Sequence, residues 1–199
     1  MRKAINHLKK TDPVMATIIT KVGPYKPAKL DPSFKTLVRA IVFQQLATGA
    51  ARTIHGRLEA LCDGRVTPQA IMNLSVGEMR RAGLSRQKLS YIRDLADHVH
   101  EGRLEFTQLH KLPDEEVIEI LTDVKGIGRW TAQMFLLFAL ERPNVLPTGD
   151  LGVQNAIKKA YHKRKVTPKH IEKMGKKWEP YCSVASWYLW RSLDQGAEI

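Results

Sequence analysis

Apolar residues recur at three- and four-residue spacing along most of the chain, which is the period of an amphipathic α-helix. The clearest cases lie within 34–42 and 89–99, where one helix face is apolar throughout. Proline or a short polar residue opens several of these stretches, and glycine closes others. The pattern predicts about ten helices, placed within residues 12–23, 31–42, 49–61, 67–74, 75–83, 87–100, 113–123, 129–140, 151–161, 167–177 and 181–193. No convincing stretch alternates apolar and polar residues as a strand does, so we expect a compact all-α fold.

The charge of the chain favours a polyanionic partner. Its 199 residues include 32 Lys+Arg against 20 Asp+Glu, a formal net charge of +12. This length suits one domain, or two intimately packed lobes. Nine basic residues and one acid, Glu172, lie between Lys158 and Lys177. Such a run either binds phosphates or forms a solvated helix face, and the sequence leaves both interpretations open.

Several classes of protein are disfavoured by what the sequence lacks. The longest apolar run, Met134–Leu140, is far shorter than the ~18 residues of a membrane span. Two cysteines, Cys62 and Cys182, cannot supply four ligands to an iron–sulfur cluster or zinc ion. The seven histidines show no ligand spacing, and we expect His98 and His100 to face solvent. We therefore expect no metal, no cofactor and no membrane partner, in a cytoplasmic protein if the source is prokaryotic and a nuclear one if it is eukaryotic.

A glycine-rich turn between two predicted helices is the most informative motif. Gly126 and Gly128 flank Ile127, Lys125 precedes them, and a helix follows. Glycine permits tight backbone geometry and close approach of a ligand. Unpaired N–H groups at the start of the next helix suit a phosphate oxygen, with Ile127 anchoring the turn. An ordinary helical hairpin with glycine caps is the alternative.

In its motifs the chain resembles the HhH-GPD DNA glycosylases, and in particular their alkylated-base branch, 3-methyladenine DNA glycosylase II. The resemblance covers roughly Phe34 to Leu193. It implies a helical core of about ten helices in two lobes with a cleft between them, formed by residues 31–199 after a helical extension over 1–30. Four segments carry it: the hairpin 124–132, the loop Leu146-Pro-Thr-Gly-Asp-Leu-Gly-Val, the aromatic stretch 178–190, and Arg39-Ala-Ile-Val-Phe-Gln-Gln-Leu.

Asp150 corresponds to the catalytic aspartate in this resemblance. A fixed carboxylate beside C1′ would stabilise the positive charge that develops on the sugar, and would orient the attacking water. By its position alone, between Gly149 and a helical run, Asp150 is more typical of a simple helix N-cap.

The aromatic residues correspond to the base pocket. The resemblance implies a pocket that stacks on a cationic purine and is formed by Trp130, Met134, Leu151, Trp187 and Trp190. Without the resemblance, aromatic residues at helical spacing are more often core. Family members with lyase activity carry a lysine nucleophile where this chain has Trp130, which implies a hydrolase without lyase activity. Cys182 replaces an arginine usual in the family.

The resemblance also implies which residues contact DNA. Gln45, or its neighbour Leu46, would fill the gap left by a flipped nucleotide. A polar pair such as Gln44-Gln45 at the end of a helix is otherwise a simple cap. The remaining DNA-binding residues implied are those of the hairpin: Lys125, Gly126, Ile127, Gly128, Arg129 and Thr131.

These residues together predict a monofunctional alkylpurine DNA glycosylase of base excision repair. Its partner would be double-stranded DNA containing alkylated bases, and we expect a monomer. Two alternatives stay open at this point. One is an enzyme of the same fold that excises uracil or hypoxanthine. The other is a non-catalytic DNA-binding module that has only the hairpin.

Overall fold

The chain is all-helical over residues 1–194, the part that the computed structural model describes. These residues form twelve α-helices and a short 3-10 turn, Leu109–Lys111, with no strand among them. The helices are α1 (Arg2–Thr11), α2 (Pro13–Val22), α3 (Phe34–Phe43), α4 (Thr48–Leu61), α5 (Pro68–Asn73), α6 (Val76–Arg81), α7 (Arg86–His100), α8 (Asp114–Asp123), α9 (Arg129–Phe138), α10 (Leu151–Ala160), α11 (Pro168–Gly175) and α12 (Cys182–Asp194).

Polar N-caps begin most of these helices, as the sequence pattern predicts. The Asp12 carboxylate accepts N–H bonds from Val14 and Met15 at the start of α2. Ser75 forms a capping box with Glu78, so each side chain satisfies a backbone donor of the other residue. The same capping role is played by Ser33, Thr67, Ser85, Asp150 and Thr167.

The prediction of an all-helical fold of about ten helices is confirmed, but the periodicity gave no bounds for α1, which lies within the helical extension expected over 1–30. Only Ala4 and Leu8 of this helix are buried, because its other positions are mostly charged or polar. Two buried positions in ten residues leave too sparse an apolar pattern to recognise in the sequence. A second, smaller difference is that α9 ends at Phe138 rather than at Leu140.

The chain divides into two compact units. The first unit contains Met1–Lys29 and the chain from Leu136 onward, and the second contains Leu30–Phe135. In the first unit α12 packs against α2 and α10, and α1 packs against α2. In the second unit α7 packs against α3, α5 and α6. No helix among the described residues is long and apolar enough to cross a membrane.

A single apolar cluster forms the core of the first unit. It joins residues of α1 and α2 to residues of α10, α11 and α12, so the N-terminal helices and the late helices share one core. Trp178 and Tyr188 are its largest fully buried side chains. This core supports the N-terminal end of α10, where the candidate catalytic aspartate lies.

Candidate active site and DNA-binding elements

The Asp150 carboxylate is held in place by two hydrogen bonds. It is the N-cap of α10, and its Oδ1 accepts the backbone N–H of Val153 at 2.7 Å. The same oxygen accepts the indole Nε1–H of Trp190, in α12, also at 2.7 Å. Asp150 is only 9% exposed. The capping role read from the sequence is therefore real, and it gives the carboxylate a defined position next to an aromatic ring.

Gly152 makes this arrangement possible, although sequence reasoning did not single it out. A Cβ atom at Gly152 would lie 2.8 Å from Cδ1 of Trp190 and 3.0 Å from Oδ1 of Asp150. Only a residue without a side chain lets α10 approach α12 so closely. The glycine stands in the quoted loop motif, but its role depends on a helix 40 residues away along the chain.

Trp190 and Trp187 line a surface pocket of about 610 Å³ within the first unit. The Trp190 ring stacks on Phe138 with ring centroids 5.9 Å apart. Trp187 is 7% exposed and packs edge-on against Tyr25 and Tyr188, so it belongs mainly to the core. The remaining lining residues are Val22, Pro24, Lys26, Ala28 and Arg191.

The other residues expected in the base pocket differ in exposure. Leu151, the first residue of α10, is 71% exposed. Trp130 lies in the first turn of α9 in the second unit and is half exposed, whereas Met134 on the same helix is half-buried. A large apolar residue left exposed is a candidate contact surface for a ligand.

The hairpin turn is packed on the ring of Tyr91. Gly126 has a φ of +80°, and a Cβ atom there would lie 2.0 Å from the Tyr91 ring. Both its backbone conformation and its contact therefore require glycine. Ile127 is 3% exposed, in agreement with its expected role as the anchor of the turn. Gly128, in contrast, has open space where a Cβ atom would stand.

Two of the N–H groups near the turn are already occupied. The Lys125 N–H donates to Oδ2 of Asp94 at 2.9 Å, and the Ile127 N–H donates to the Val124 carbonyl at 3.1 Å. The Lys125 ammonium also contacts Oδ1 of Asp94 at 3.0 Å. Burial pushes the pKa of Asp94 upward, but the bonds from Lys125 outweigh it and lower that pKa. Lys125 and Ile127 precede α9, whereas the expectation of outward-facing N–H groups concerns the start of that helix.

Arg129 forms an ion pair, and Thr131 is buried. The Arg129 guanidinium forms a bidentate pair with Glu115, with N–O distances of 2.9 and 2.6 Å. These bonds lower the pKa of Glu115. Thr131 is 8% exposed.

The segment that follows α3 is linked to the hairpin within the second unit. Gln45 has a φ of +54°, which is uncommon for a residue other than glycine, and its side chain is exposed. Leu46 is 39% exposed. The neighbouring Gln44 donates its Nε2–H to the Gly126 carbonyl at 2.9 Å. The segment that contains the candidate wedge is thus in contact with the candidate phosphate-binding turn.

Comparison with known proteins supplies the family. A model of the HhH-GPD superfamily of base excision DNA repair proteins matches residues 38–180. The chain belongs to this superfamily. It is 32% identical to DNA-3-methyladenine glycosylase 1 of Schizosaccharomyces pombe, over 96% of this chain and 87% of that protein.

Two solved HhH-GPD structures are similar over nearly the whole chain. A DNA-3-methyladenine glycosidase from Bacillus halodurans has a TM-score of 0.90 and 39% identity, over 98% of this chain and 91% of that one. A 3-methyladenine DNA glycosylase of Schizosaccharomyces pombe, in complex with abasic DNA, has a TM-score of 0.84 and 33% identity, over 94% and 95%.

One face of α7 contacts both the hairpin and the segment that follows α3, and sequence reasoning missed it. Lys88 donates its ammonium hydrogens to the carbonyls of Val42 and Gln44, at 2.5 and 2.7 Å. Burial lowers the pKa of Lys88. Tyr91 and Asp94, one and two turns further along, contact the hairpin. The spacing of these three residues was visible in the sequence, but their partners were not.

His98 continues the same face, and this corrects the expectation that it faces solvent. It is 4% exposed, and its Nε2 lies 3.0 Å from Oδ2 of Asp123, at the end of α8. Its Nδ1 lies 2.7 Å from the Asp94 carbonyl. His98 is a polar residue at the edge of an apolar stripe, and its burial depends on the partner that α8 supplies.

Cys182 stands where the HhH-GPD family usually has an arginine, and it is a core residue. It is 2% exposed, and its thiol lies 3.6 Å from the Gly175 carbonyl. Burial, aided by Glu179, raises its pKa to about 12. Across residues 1–194, no group of three or more His, Cys, Asp or Glu side chains is arranged to hold a metal ion.

Proposed function

We propose that this protein is a monofunctional DNA glycosylase that hydrolyses the N-glycosidic bond of alkylated purines such as 3-methyladenine and 7-methylguanine. The observation that carries the proposal is the Asp150 carboxylate, buried at the N-terminus of α10 and hydrogen-bonded to Trp190. A helix cap alone requires no aromatic partner. The names of the relatives support the same class of substrate.

Asp150 acts on the charge of the sugar. When the bond between C1′ and the base nitrogen breaks, its electron pair leaves with the base, and positive charge develops on the sugar. A carboxylate fixed beside C1′ and largely shielded from water stabilises that charge. The bonds from Val153 and Trp190 keep the carboxylate in position, so little reorganisation is needed in the transition state.

A water molecule completes the hydrolysis. It adds to C1′ and transfers its proton to the Asp150 carboxylate or to solvent, which leaves an abasic site and a free base. A purine alkylated at a ring nitrogen is cationic and leaves as a neutral base. One carboxylate is therefore sufficient, and no general acid is needed.

Aromatic stacking provides the recognition of the base. The indole ring of Trp190 is hydrogen-bonded to Asp150, and an electron-rich ring beside the catalytic carboxylate attracts a cationic purine. Leu151, at the start of α10, adds exposed apolar surface for the flipped nucleotide. Stacking of this kind favours a range of alkylated purines rather than one lesion.

The chemistry ends at the abasic site. Trp130 has no amine and cannot form a Schiff base with the sugar, and it stands where the lyases of the family carry their lysine. Incubation with abasic DNA and borohydride should therefore trap no covalent complex. A borohydride-stable complex would contradict the monofunctional assignment.

The proposal is tested by identifying what the protein releases. Methylated duplex DNA should yield free 3-methyladenine and 7-methylguanine by mass spectrometry. Asp150→Asn keeps a good N-cap, and its one amide oxygen can still accept the bonds from Val153 and Trp190, but the negative charge is removed. Its single-turnover excision rate should fall by at least about 10²-fold, with duplex affinity nearly unchanged.

Two results would overturn the proposal. Full excision by Asp150→Asn would exclude the aspartate as the catalytic group. Release of uracil or hypoxanthine from matched duplexes, without release of alkylated bases, would assign the site to another lesion. A protein that binds DNA and releases no base at all would be a non-catalytic module.

A further inference from the structure

A pocket lined by lysines lies at the far end of α10 from Asp150, and the chemistry proposed above does not use it. Its volume is about 480 Å³. We call it the lysine pocket, and it is lined by Lys163, Lys165, Val166, His170, Lys173, Met174, Lys176 and Lys177.

Four of its five lysines keep their full charge available to a ligand. Lys163, Lys165, Lys173 and Lys176 are exposed, and none of them forms an ion pair with a carboxylate within residues 1–194. Lys177 differs, because its ammonium contacts Oδ2 of the buried Asp12 at 2.8 Å. The lysine pocket therefore has about four uncompensated positive charges around its opening.

The lysine pocket is formed by the core itself rather than by loose side chains. Val166 is 7% exposed and Ile171 is fully buried, and both belong to the apolar cluster of the first unit. Met174 packs against the same cluster. The backbone that carries the lysines is thus fixed before any ligand binds, which lowers the entropic cost of binding.

The position of the lysine pocket separates it from the reacting sugar. Asp150 precedes the first residue of α10, and Tyr161 follows its last. At 1.5 Å per residue, these two ends lie about 16 Å apart along the helix axis. Because Asp150 directs the N-terminal end of α10 at the sugar, the lysine pocket lies behind the catalytic carboxylate, away from the lesion.

We propose that the lysine pocket binds the phosphate backbone of a second DNA segment while the first is held at Asp150. The basic surface extends beyond the pocket, since residues 158–177 contain nine basic residues and one acid. Basic residues that continue beyond the pocket match the extended charge of a duplex, which carries one negative charge per about 1.7 Å. An acidic protein segment would need only the small cluster of lysines around the pocket.

The consequence is direct transfer between DNA segments. A protein with one DNA site must dissociate before it binds elsewhere. A protein with two DNA sites binds a second duplex before it releases the original one. Competing DNA therefore accelerates its dissociation from the original duplex. This property rests on DNA binding alone and does not depend on which base is excised.

The experiment measures dissociation from a labelled, undamaged duplex at increasing concentrations of unlabelled duplex. For the wild type, the observed rate should rise in proportion to the competitor. The pocket variant Lys163→Gln/Lys165→Gln/Lys173→Gln should dissociate at the same rate at every concentration of unlabelled duplex. The matched control Arg57→Gln/Arg65→Gln/Arg81→Gln removes the same charge from exposed positions of the second unit and should behave as the wild type.

Excision under saturating single-turnover conditions should be the same for the pocket variant and the wild type. Because the transfer assay uses undamaged DNA, its failure and a failure of the proposed chemistry are distinguishable. A wild-type rate independent of competitor would overturn the proposal, as would equal effects of the two triple variants. A third result would also overturn it. If the wild type binds poly-glutamate, the pocket variant does not, and both transfer between duplexes equally, the lysine pocket belongs to an acidic protein partner.

Discussion

Asp150 caps α10, and the catalytic role proposed for it is compatible with that cap. It caps α10 through the Val153 N–H, and the same oxygen receives the Trp190 indole. The cap orients the carboxylate, and the positive end of the helix dipole favours its negative charge. A residue selected for helix capping is therefore also well placed to stabilise a cation in front of the helix.

Gly152 should be as important for excision as its neighbours, although it has no functional group. In Gly152→Ala the new Cβ would displace the Trp190 ring or the Asp150 carboxylate, each about 3 Å away. A misplacement of about 1 Å costs roughly 10²-fold in rate, so we expect a single-turnover excision rate reduced by about that factor.

The control for this prediction is Gly56→Ala. Gly56 lies in α4, and nothing stands within 4 Å of the position of its Cβ atom. This change should leave excision unaffected and stabilise the helix by about 0.5–1 kcal/mol. A Gly152→Ala enzyme as fast as the wild type would show that the Asp150–Trp190 contact tolerates displacement.

At the scale of elements, α7 acts as a support for the DNA-binding segments of the second unit. Lys88 caps the carbonyl end of α3, Tyr91 contacts the turn at Gly126, and Asp94 binds Lys125. These three contacts lie at successive turns of one helix. The spacing between the wedge segment and the hairpin is therefore set by a rigid helix rather than by either loop.

Lys88→Met should weaken lesion recognition specifically. The methionine fills similar space but leaves the Val42 and Gln44 carbonyls without their donor, so the Gln45 segment loses its anchor. We expect weaker binding of lesion-containing duplex with little change for undamaged duplex, measured by titration of both. Lys88→Arg should restore part of the difference. Equal losses on both duplexes would mean that Lys88 only stabilises the fold.

The hairpin predicts a sharp contrast between its two glycines. Gly126→Ala must place a side chain at a φ of +80° and against the Tyr91 ring. We expect its duplex affinity to fall by at least about tenfold, equivalent to about 1.4 kcal/mol. Gly128→Ala meets nothing within 4 Å and should bind duplex DNA within about twofold of the wild type. If the two variants bind equally well, the packing of the turn on Tyr91 is not what maintains the DNA contact.

At the scale of the molecule, the buried Asp12 ties the N-terminal helices to the late ones. Its Oδ2 accepts hydrogen bonds from the Tyr161 hydroxyl at 2.5 Å and from the Trp178 Nε1–H at 2.8 Å, in addition to Lys177. Burial pushes the pKa of Asp12 upward, but the bonds from Lys177, Tyr161, Trp178 and the Met15 N–H outweigh burial and lower it.

Asp12→Asn should lower the free energy of unfolding and flatten its dependence on acid. Because the folded-state pKa is depressed, the stabilisation is present above the ordinary carboxyl pKa of 3.8 and is lost as pH falls through the folded-state value. At pH 7 we expect a loss of about 2–4 kcal/mol in urea denaturation. The exposed Asp97→Asn is the control and should leave both the stability and its acid slope unchanged.

The helices and most of their starts could be predicted from the sequence, because helix periodicity and N-caps are local properties. The same holds for the hairpin turn and for Asp150 as a cap, and the family resemblance followed from motifs that are contiguous in the chain. The helix α1 was the exception, since its few apolar positions gain meaning only from the core that they join.

Contacts between residues distant in the chain were decided by the tertiary structure alone. The indole that binds Asp150 comes from 40 residues away, and the lysine that holds the Gln45 segment from more than 40. Glycine at 152 and burial at His98 have no local signature, because each depends on what another helix places opposite it. Local physics thus determined which elements form, whereas packing between helices determined which side chains meet.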